Sequence, residues 1–170
     1  MEFELRPWRE SDAESLARYA RDPLLSRYLR DRFPCPYTRK DAEDFIRLCI
    51  ETKGSRLSRC IVVDGQASGD ISIIPQEDEH RKSAEMGYCL ARPLWGQGIM
   101  TRAVGILCRE AFARFDLARI YASVYSPNAA SARVLEKNGF TLEGVLRNHV
   151  WKEETLMDEK FYGLLREECR

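Results

Sequence analysis

The chain has 170 residues, 44% of them hydrophobic and 32% charged, which suits one domain (residues 1–170) with room for a sizeable core. Lysine plus arginine number 27 and aspartate plus glutamate 27, so no global basic field points to a nucleic-acid partner. Met1-Glu2-Phe3-Glu4 is no basic-then-apolar leader, and no uncharged apolar run approaches the roughly 20 residues that span a bilayer, so the expected compartment is the cytoplasm, with no membrane partner. The six cysteines (Cys35, Cys49, Cys60, Cys89, Cys108, Cys169) are scattered without a Cys-x-x-Cys pair, and the two histidines, His80 and His149, lie far apart. Reduced thiols and no metal site are expected.

In chain order, Phe3 to Trp8 alternates as a short strand that Pro7 ends. Ser11 or Asp12 is placed to cap a helix carrying Leu16, Tyr19 and Ala20, and Leu24 to Leu29 suggests a second short one. Pro34 and Pro36 interrupt regular structure, and Thr38 caps a helix whose inner face is Phe45, Ile46, Cys49 and Ile50. Cys60 to Val63 is a strand, Asp64-Gly65 a two-residue hairpin turn, and Asp70 to Ile74 the return strand. Residues 76–82 form a polar loop, and Ala84 to Leu90 is a strand.

That strand leads into Ala91-Arg92-Pro93-Leu94-Trp95-Gly96-Gln97-Gly98-Ile99-Met100-Thr101 and then an amphipathic helix with Val104, Leu107, Cys108, Ala111 and Phe115 on its apolar face. A strand feeding a glycine turn and a helix N-terminus gathers unpaired N–H groups and dipole charge, a natural seat for an anion such as phosphate. Gly98 is not followed by Lys-Ser/Thr, as a Walker loop needs, and Thr101 stands where a dinucleotide loop needs glycine or alanine, so neither common phosphate loop applies. Beyond the helix, Ile120, Ala122 and Val124 alternate as a half-buried strand, and Asn128 opens a helix that Asn138-Gly139 ends. Phe140 to Lys152 and Met157 to Leu165 read as an antiparallel pair about Glu153-Glu154.

The run Glu85 to Thr101 with Trp95-Gly-Gln-Gly98, the string Ser126-Pro-Asn-Ala-Ala-Ser131 through Asn138-Gly139-Phe140, and Glu143-Gly144-Val145-Leu146-Arg147 together resemble the GNAT N-acetyltransferase superfamily. The match is nearest to the branch that acetylates N-termini of ribosomal proteins, and Leu5-Arg6-Pro7-Trp8 with Ser11-Asp12-Ala13 is similar to its N-terminus. The resemblance implies an α+β (mixed α/β) fold, the GNAT-like acyl-CoA N-acyltransferase fold: a mostly antiparallel sheet with splayed central strands, flanked by helices. It implies acetyl-CoA as cosubstrate and transfer to a primary amine by direct attack in a ternary complex, in a monomer or homodimer.

By the same resemblance, backbone groups of Cys89, Leu90 and Ala91 hold the pantetheine arm, and Trp95, Gly96, Gln97, Gly98, Ile99, Met100 and Thr101 hold the pyrophosphate. The Leu90 N–H is the expected donor to the thioester oxygen. Many members place a tyrosine where this chain has Leu135, and the ribosomal branch uses the serine at Ser131 as the acid for the thiolate, with Asn128 beside it. Glu85 is the candidate base; His149 and a covalent role for Cys89 are weaker alternatives. Arg102, at the helix start, is placed to reach a CoA phosphate. The acceptor is expected to be a protein or peptide N-terminus, with a small-molecule amine (antibiotic, polyamine, amino acid) or a non-catalytic acyl-CoA sensor as alternatives.

Overall fold

The computed structural model describes residues 1–170. Asp64 and Gly65 both take positive φ (49° and 75°), the type I′ turn expected of an Asp-Gly pair, and join β2 (Leu57–Val63) to β3 (Gln66–Pro75). The remaining strands are β1 (Glu4–Arg6), β4 (Ser83–Leu90), β5 (Arg119–Tyr125), β6 (Thr141–Lys152) and β7 (Thr155–Leu165). All seven belong to one mixed, mostly antiparallel sheet in the order β1-β2-β3-β4-β5-β7-β6. The helices are α1 (Ala13–Ala20), α2 (Pro23–Ser26), α3 (Arg39–Glu51), α4 (Ile99–Arg114) and α5 (Ala129–Lys137), and none is long and apolar enough to cross a membrane. The chain divides into two compact units, Met1–Ser72 with Tyr88–Ile99, and Ile73–Gly87 with Met100–Arg170.

In the first unit β1 runs antiparallel to β2, Glu4 opposite Val62 and Arg6 opposite Cys60. Helices α1 and α3 bury Leu16, Ala17, Ala42, Ile46 and Cys49 with Trp8, whose ring meets Phe45 edge-on at 5.6 Å. Thr38 begins α3 as expected: its hydroxyl accepts the Asp41 N–H, and the Asp41 carboxylate takes the Thr38 N–H in return. Three expectations need correction. The first strand is shorter than Phe3 to Trp8, and Ile50 is exposed because Ala42, four residues before Ile46, completes the buried stripe instead. Asp12 does not cap α1 with its side chain; it ends a short 3-10 turn and spends its carboxylate on Arg6 and the Arg9 N–H.

In the second unit the parallel ladder between β4 and β5 joins Ser83–Glu85 to Arg119–Tyr121 and ends there, the early stop that a splayed central pair requires. β5 is antiparallel to β7 along its whole length, from Arg119 opposite Leu165 to Tyr125 opposite Glu159. Helix α4 buries Val104, Leu107, Cys108 and Ala111, but Phe112 takes the buried place expected of Phe115. Asn138 ends α5 and ties it to α4, its Nδ2 donating to the carbonyls of Val134 (2.8 Å) and Thr101 (3.0 Å). Gly139 follows at φ 82°, the left-handed position a Cβ disfavours. Glu153 and Glu154 form the β6–β7 turn with φ of 49° and 57°. The loop 76–82 contains a short 3-10 turn, Asp78–His80. All six cysteines are free thiols.

Candidate active site

The end of β4 and the glycine turn belong to the first unit. Ala91 N–H donates to the Ser68 carbonyl (2.8 Å), anchoring the strand end to β3. Pro93 sits inside a 3-10 turn over Arg92–Leu94, closed by Leu94 N–H to Ala91 O and Trp95 N–H to Arg92 O. The Trp95 indole folds back and donates to the Leu90 carbonyl at 2.6 Å, and Gln97 Nε2 reaches the Pro93 carbonyl at 3.1 Å. Arg92 pairs with Asp22 at 2.7 Å, and Asp22 also caps α2 through the Leu24 N–H. Side chains expected at the cofactor therefore serve to hold the loop's shape.

Gly96 and Gly98 have φ of 75° and 73°, and nothing lies within 4 Å of where a Cβ would stand at either. The space beside the backbone is open, and the conformation is one that side chains resist. Ile99 and Met100 are buried, so they can offer a ligand their backbone N–H groups and not their side chains. The residues present fit a pyrophosphate held by main-chain amides.

Thr101, Asn128, Ser131 and Glu85 belong to the second unit. Asn128 is the N-cap of α5, its Oδ1 accepting the Ser131 N–H at 3.2 Å. That bond brings Asn128 and Ser131 together and leaves ligand donation by Asn128 to its Nδ2 group. Ser131 is partly exposed in the first turn of α5. Glu85, also partly exposed, stands at the last rung of the parallel ladder opposite Tyr121. Leu135 is wholly buried and presents no proton donor. His149 Nδ1 lies 2.6 Å from a carboxylate oxygen of the buried Glu159, which accounts for a histidine on an exposed strand.

The Cys89 side chain has no part in the loop. Burial, and then the nearby Asp70 charge, push its thiol up to about 12, so it is no thiolate nucleophile near neutrality. Beside it in the first unit lies a carboxyl that sequence reading passed over. Asp70, on β3, accepts a long bond from Trp8 Nε1 (3.3 Å) and is 3.4 Å from the Ser72 hydroxyl. Burial pushes its pKa up to about 7, against smaller opposing effects of those two bonds and of Arg56. Tyr19 adds a buried hydroxyl without a well-formed hydrogen bond; the Cys89 thiol interacts with it, a small effect that opposes the rise of the thiol's pKa. No three His, Cys, Asp or Glu side chains converge as a metal site would need.

A mixed sheet whose parallel centre stops early, with an open glycine turn entering a helix at the end of β4, defines an acyl-CoA N-acyltransferase class. The acetyltransferase (GNAT) domain model matches residues 2–141, and the chain belongs to that family. It is 30% identical over 169 residues to the uncharacterized N-acetyltransferase p20 of Bacillus licheniformis, covering 96% of this chain and 93% of that protein. It is 33% identical over 108 residues to the putative ribosomal N-acetyltransferase YdaF of Bacillus subtilis (strain 168), covering 64% of this chain and 58% of that protein. Among solved structures, Mycobacterium smegmatis RimJ in complex with CoA-disulfide matches with a TM-score of 0.83 and 26% identity, covering 98% of this chain and 83% of that one. The chain is thus an acetyl-CoA N-acetyltransferase of the GNAT family.

Proposed function

We propose that this enzyme transfers acetyl from acetyl-CoA to the amino terminus of a protein or peptide, by direct attack in a ternary complex within one catalytic domain. The observation that carries the cofactor side is the open turn at Gly96 and Gly98 running into α4, where nothing stands within 4 Å of either missing Cβ. Acetyl-CoA supplies an activated acyl group whose thioester oxygen gains negative charge as the amine adds. The Leu90 N–H donates to that oxygen, and the N–H groups of Gly96 to Thr101 hold the pyrophosphate. Ser131 supplies a proton toward the departing thiolate, with Asn128 fixing the turn that presents it. Glu85 is the carboxylate of β4 suited to taking up a proton through water. The likeness to YdaF, named a putative ribosomal N-acetyltransferase, supports a macromolecular acceptor, and the likeness to RimJ with its bound CoA-disulfide supports the cofactor.

Leu135, buried where other members keep a tyrosine, favours a second reading: an acyl-CoA sensor that binds without transfer. Two measurements separate and test the readings. Calorimetric titration with acetyl-CoA is expected to show binding that Gly98→Val weakens at least about tenfold, since strain and lost N–H contacts cost on the order of 1–3 kcal/mol and each 1.4 is a decade. The variant is expected to stay folded, because the position is open, with a thermal midpoint lowered by up to about 10 °C by the strain of a side chain at φ 73°. A mass-spectrometric screen of peptides and small amines then gives the acceptor: acetylated peptide N-termini support the proposal, selective turnover of a polyamine or aminoglycoside replaces it, and binding without any turnover favours the sensor.

A further inference from the structure

The buried face that α1 and α3 lay against β2 and β3 is not uniformly apolar. Asp70 sits in it with two long hydrogen bonds and no ion pair: the donors are Trp8 Nε1 at 3.3 Å and Ser72 Oγ at 3.4 Å. An ionised carboxylate accepts about four hydrogen bonds at 2.7–2.9 Å when satisfied, so this one is under-bonded. The titratable groups packed around it are Tyr19 on α1, Tyr37 ahead of α3, Cys49 on α3, Arg56 behind it, Cys60 on β2 and Cys89 on β4. Arg56 alone is positive, and its guanidinium is bonded to Thr52 Oγ1 at 2.6 Å. Tyr19 contributes a buried hydroxyl with no partner. A half-buried carboxylate and a buried hydroxyl of the same unit, close enough for one charge to raise the other's pKa and both short of partners, describe a place built for a third group.

That place adjoins the reacting strand. A Cβ on Gly69 would lie 2.8 Å from the Cys89 carbonyl, and Ala91 N–H bonds to Ser68 O, so β3 beside Asp70 is seated on the end of β4 where Leu90 lies. Asp70 and Cys89 each keep part of their surface open to solvent, whereas the Tyr19 hydroxyl is closed to it, so the cluster is approached from the Asp70 side. What fits a carboxylate short of donors, with no cation bonded to it, is a primary ammonium, which brings both the missing charge and the missing donors.

Resting on the acetyltransferase reading but not on its choice of Glu85 as base, we infer that Asp70 is the acceptor-binding residue and, in place of Glu85, the proton acceptor: its carboxylate holds the incoming ammonium, with the Tyr19 oxygen as a second acceptor, and takes one proton from it. The freed amine forms the N–C bond to the acetyl carbon as the C–S bond breaks. The second amine proton leaves to the departing thiolate side, and Asp70 returns its own to solvent, so protons balance over a cycle with no further reactant. A carboxyl pushed up to about 7 is matched to such work near neutrality, because it exchanges protons with an amine at little cost.

The test measures free CoA release with the best acceptor of the amine and peptide screen, from pH 5.5 to 9, for the wild type, Asp70→Asn, Tyr19→Phe and Glu85→Gln. The wild type should show a kcat/KM limb that rises through pH 7. Asp70→Asn should lose that limb and at least about a hundredfold in kcat/KM while still binding acetyl-CoA as tightly; Tyr19→Phe should raise the acceptor KM a few-fold and keep the limb. A wild-type profile flat between pH 6 and 8 overturns the inference even if Asp70→Asn does not fold. So does Asp70→Asn with normal turnover and pH dependence, or loss of the limb in Glu85→Gln alone; in these cases the acetyltransferase reading stands. No CoA release from the wild type with any amine removes that reading, and this inference with it.

Discussion

Two aspartates of the first unit, Asp12 buried and Asp70 half-buried, meet opposite conditions. Asp12 is clamped by both terminal nitrogens of Arg6 at 2.8 Å and by the Arg9 N–H at 2.9 Å. Asp70 has an indole and a hydroxyl at 3.3–3.4 Å and no cation bonded to it. Burial raises both carboxyls, but in Asp12 the Arg6 bonds, the Arg9 N–H and the charges of both arginines together outweigh it and the pKa falls below the ordinary value, whereas in Asp70 burial prevails and the pKa rises to about 7. An enclosed carboxylate that has its partners is part of the scaffold. One enclosed without them costs stability, and such a cost persists at sites where something else is to bind.

The contrast can be broken most forcefully at Asp12. Asp12→Ala leaves the Arg6 guanidinium enclosed without a carboxylate and should cost about 3 kcal/mol in chemical denaturation. The exposed pair Arg39–Glu43 serves as its control: Glu43→Ala should cost less than about 0.5 kcal/mol, since surface ion pairs contribute little. A loss at Asp12 no larger than at Glu43 would mean the clamp is decorative.

Asp70→Asn should act in the other direction and by less, raising stability by about 1–2 kcal/mol at pH 8 even as activity falls. The sign follows from proton binding. Between the ordinary aspartate pKa and about 7, the folded chain holds a proton at Asp70 that the unfolded chain has released, so this group lowers stability progressively as pH rises through that window, and the cost is constant above it. Asp12 behaves oppositely: its contribution is present above the unfolded pKa and lost as pH falls through the lower folded one. Denaturation midpoints of the wild type and Asp70→Asn should therefore converge near pH 4 and separate toward pH 8. Parallel curves would remove the basis for calling Asp70 unsatisfied.

Much of this arrangement was legible in the residues. Asp64-Gly65 specifies its turn because few pairs accept positive φ twice, and Thr38 specifies a helix start because its hydroxyl can replace the missing backbone acceptor. The glycine turn before α4 and the Asn128 start of α5 read correctly for the same reason: the signal is local. Asp70 was hidden because Asp70-Ile71-Ser72-Ile73 has the period of a strand with one wet face. In the structure the Asp70–Ser72 face of β3 is covered too, by residues more than fifty positions away in Trp8 and Tyr19, and no local pattern carries that information. Asp12 does stand at the N-cap of α1, but its missing side-chain cap was illegible for a related reason, since a helix-start aspartate looks the same whether or not an arginine six residues earlier folds over it.

The most direct measurement is a carbon-detected NMR titration of the aspartate side-chain carboxyls in the folded enzyme, with Asp12 and Asp70 assigned by substitution. Asp70 is expected to titrate with a midpoint about 7 and Asp12 below the ordinary aspartate value, and a saturating primary-amine acceptor should move Asp70 downward while leaving Asp12 in place. An Asp70 midpoint near 4, or one indifferent to the acceptor, would contradict the claim that this carboxyl is kept without partners in order to receive the amine.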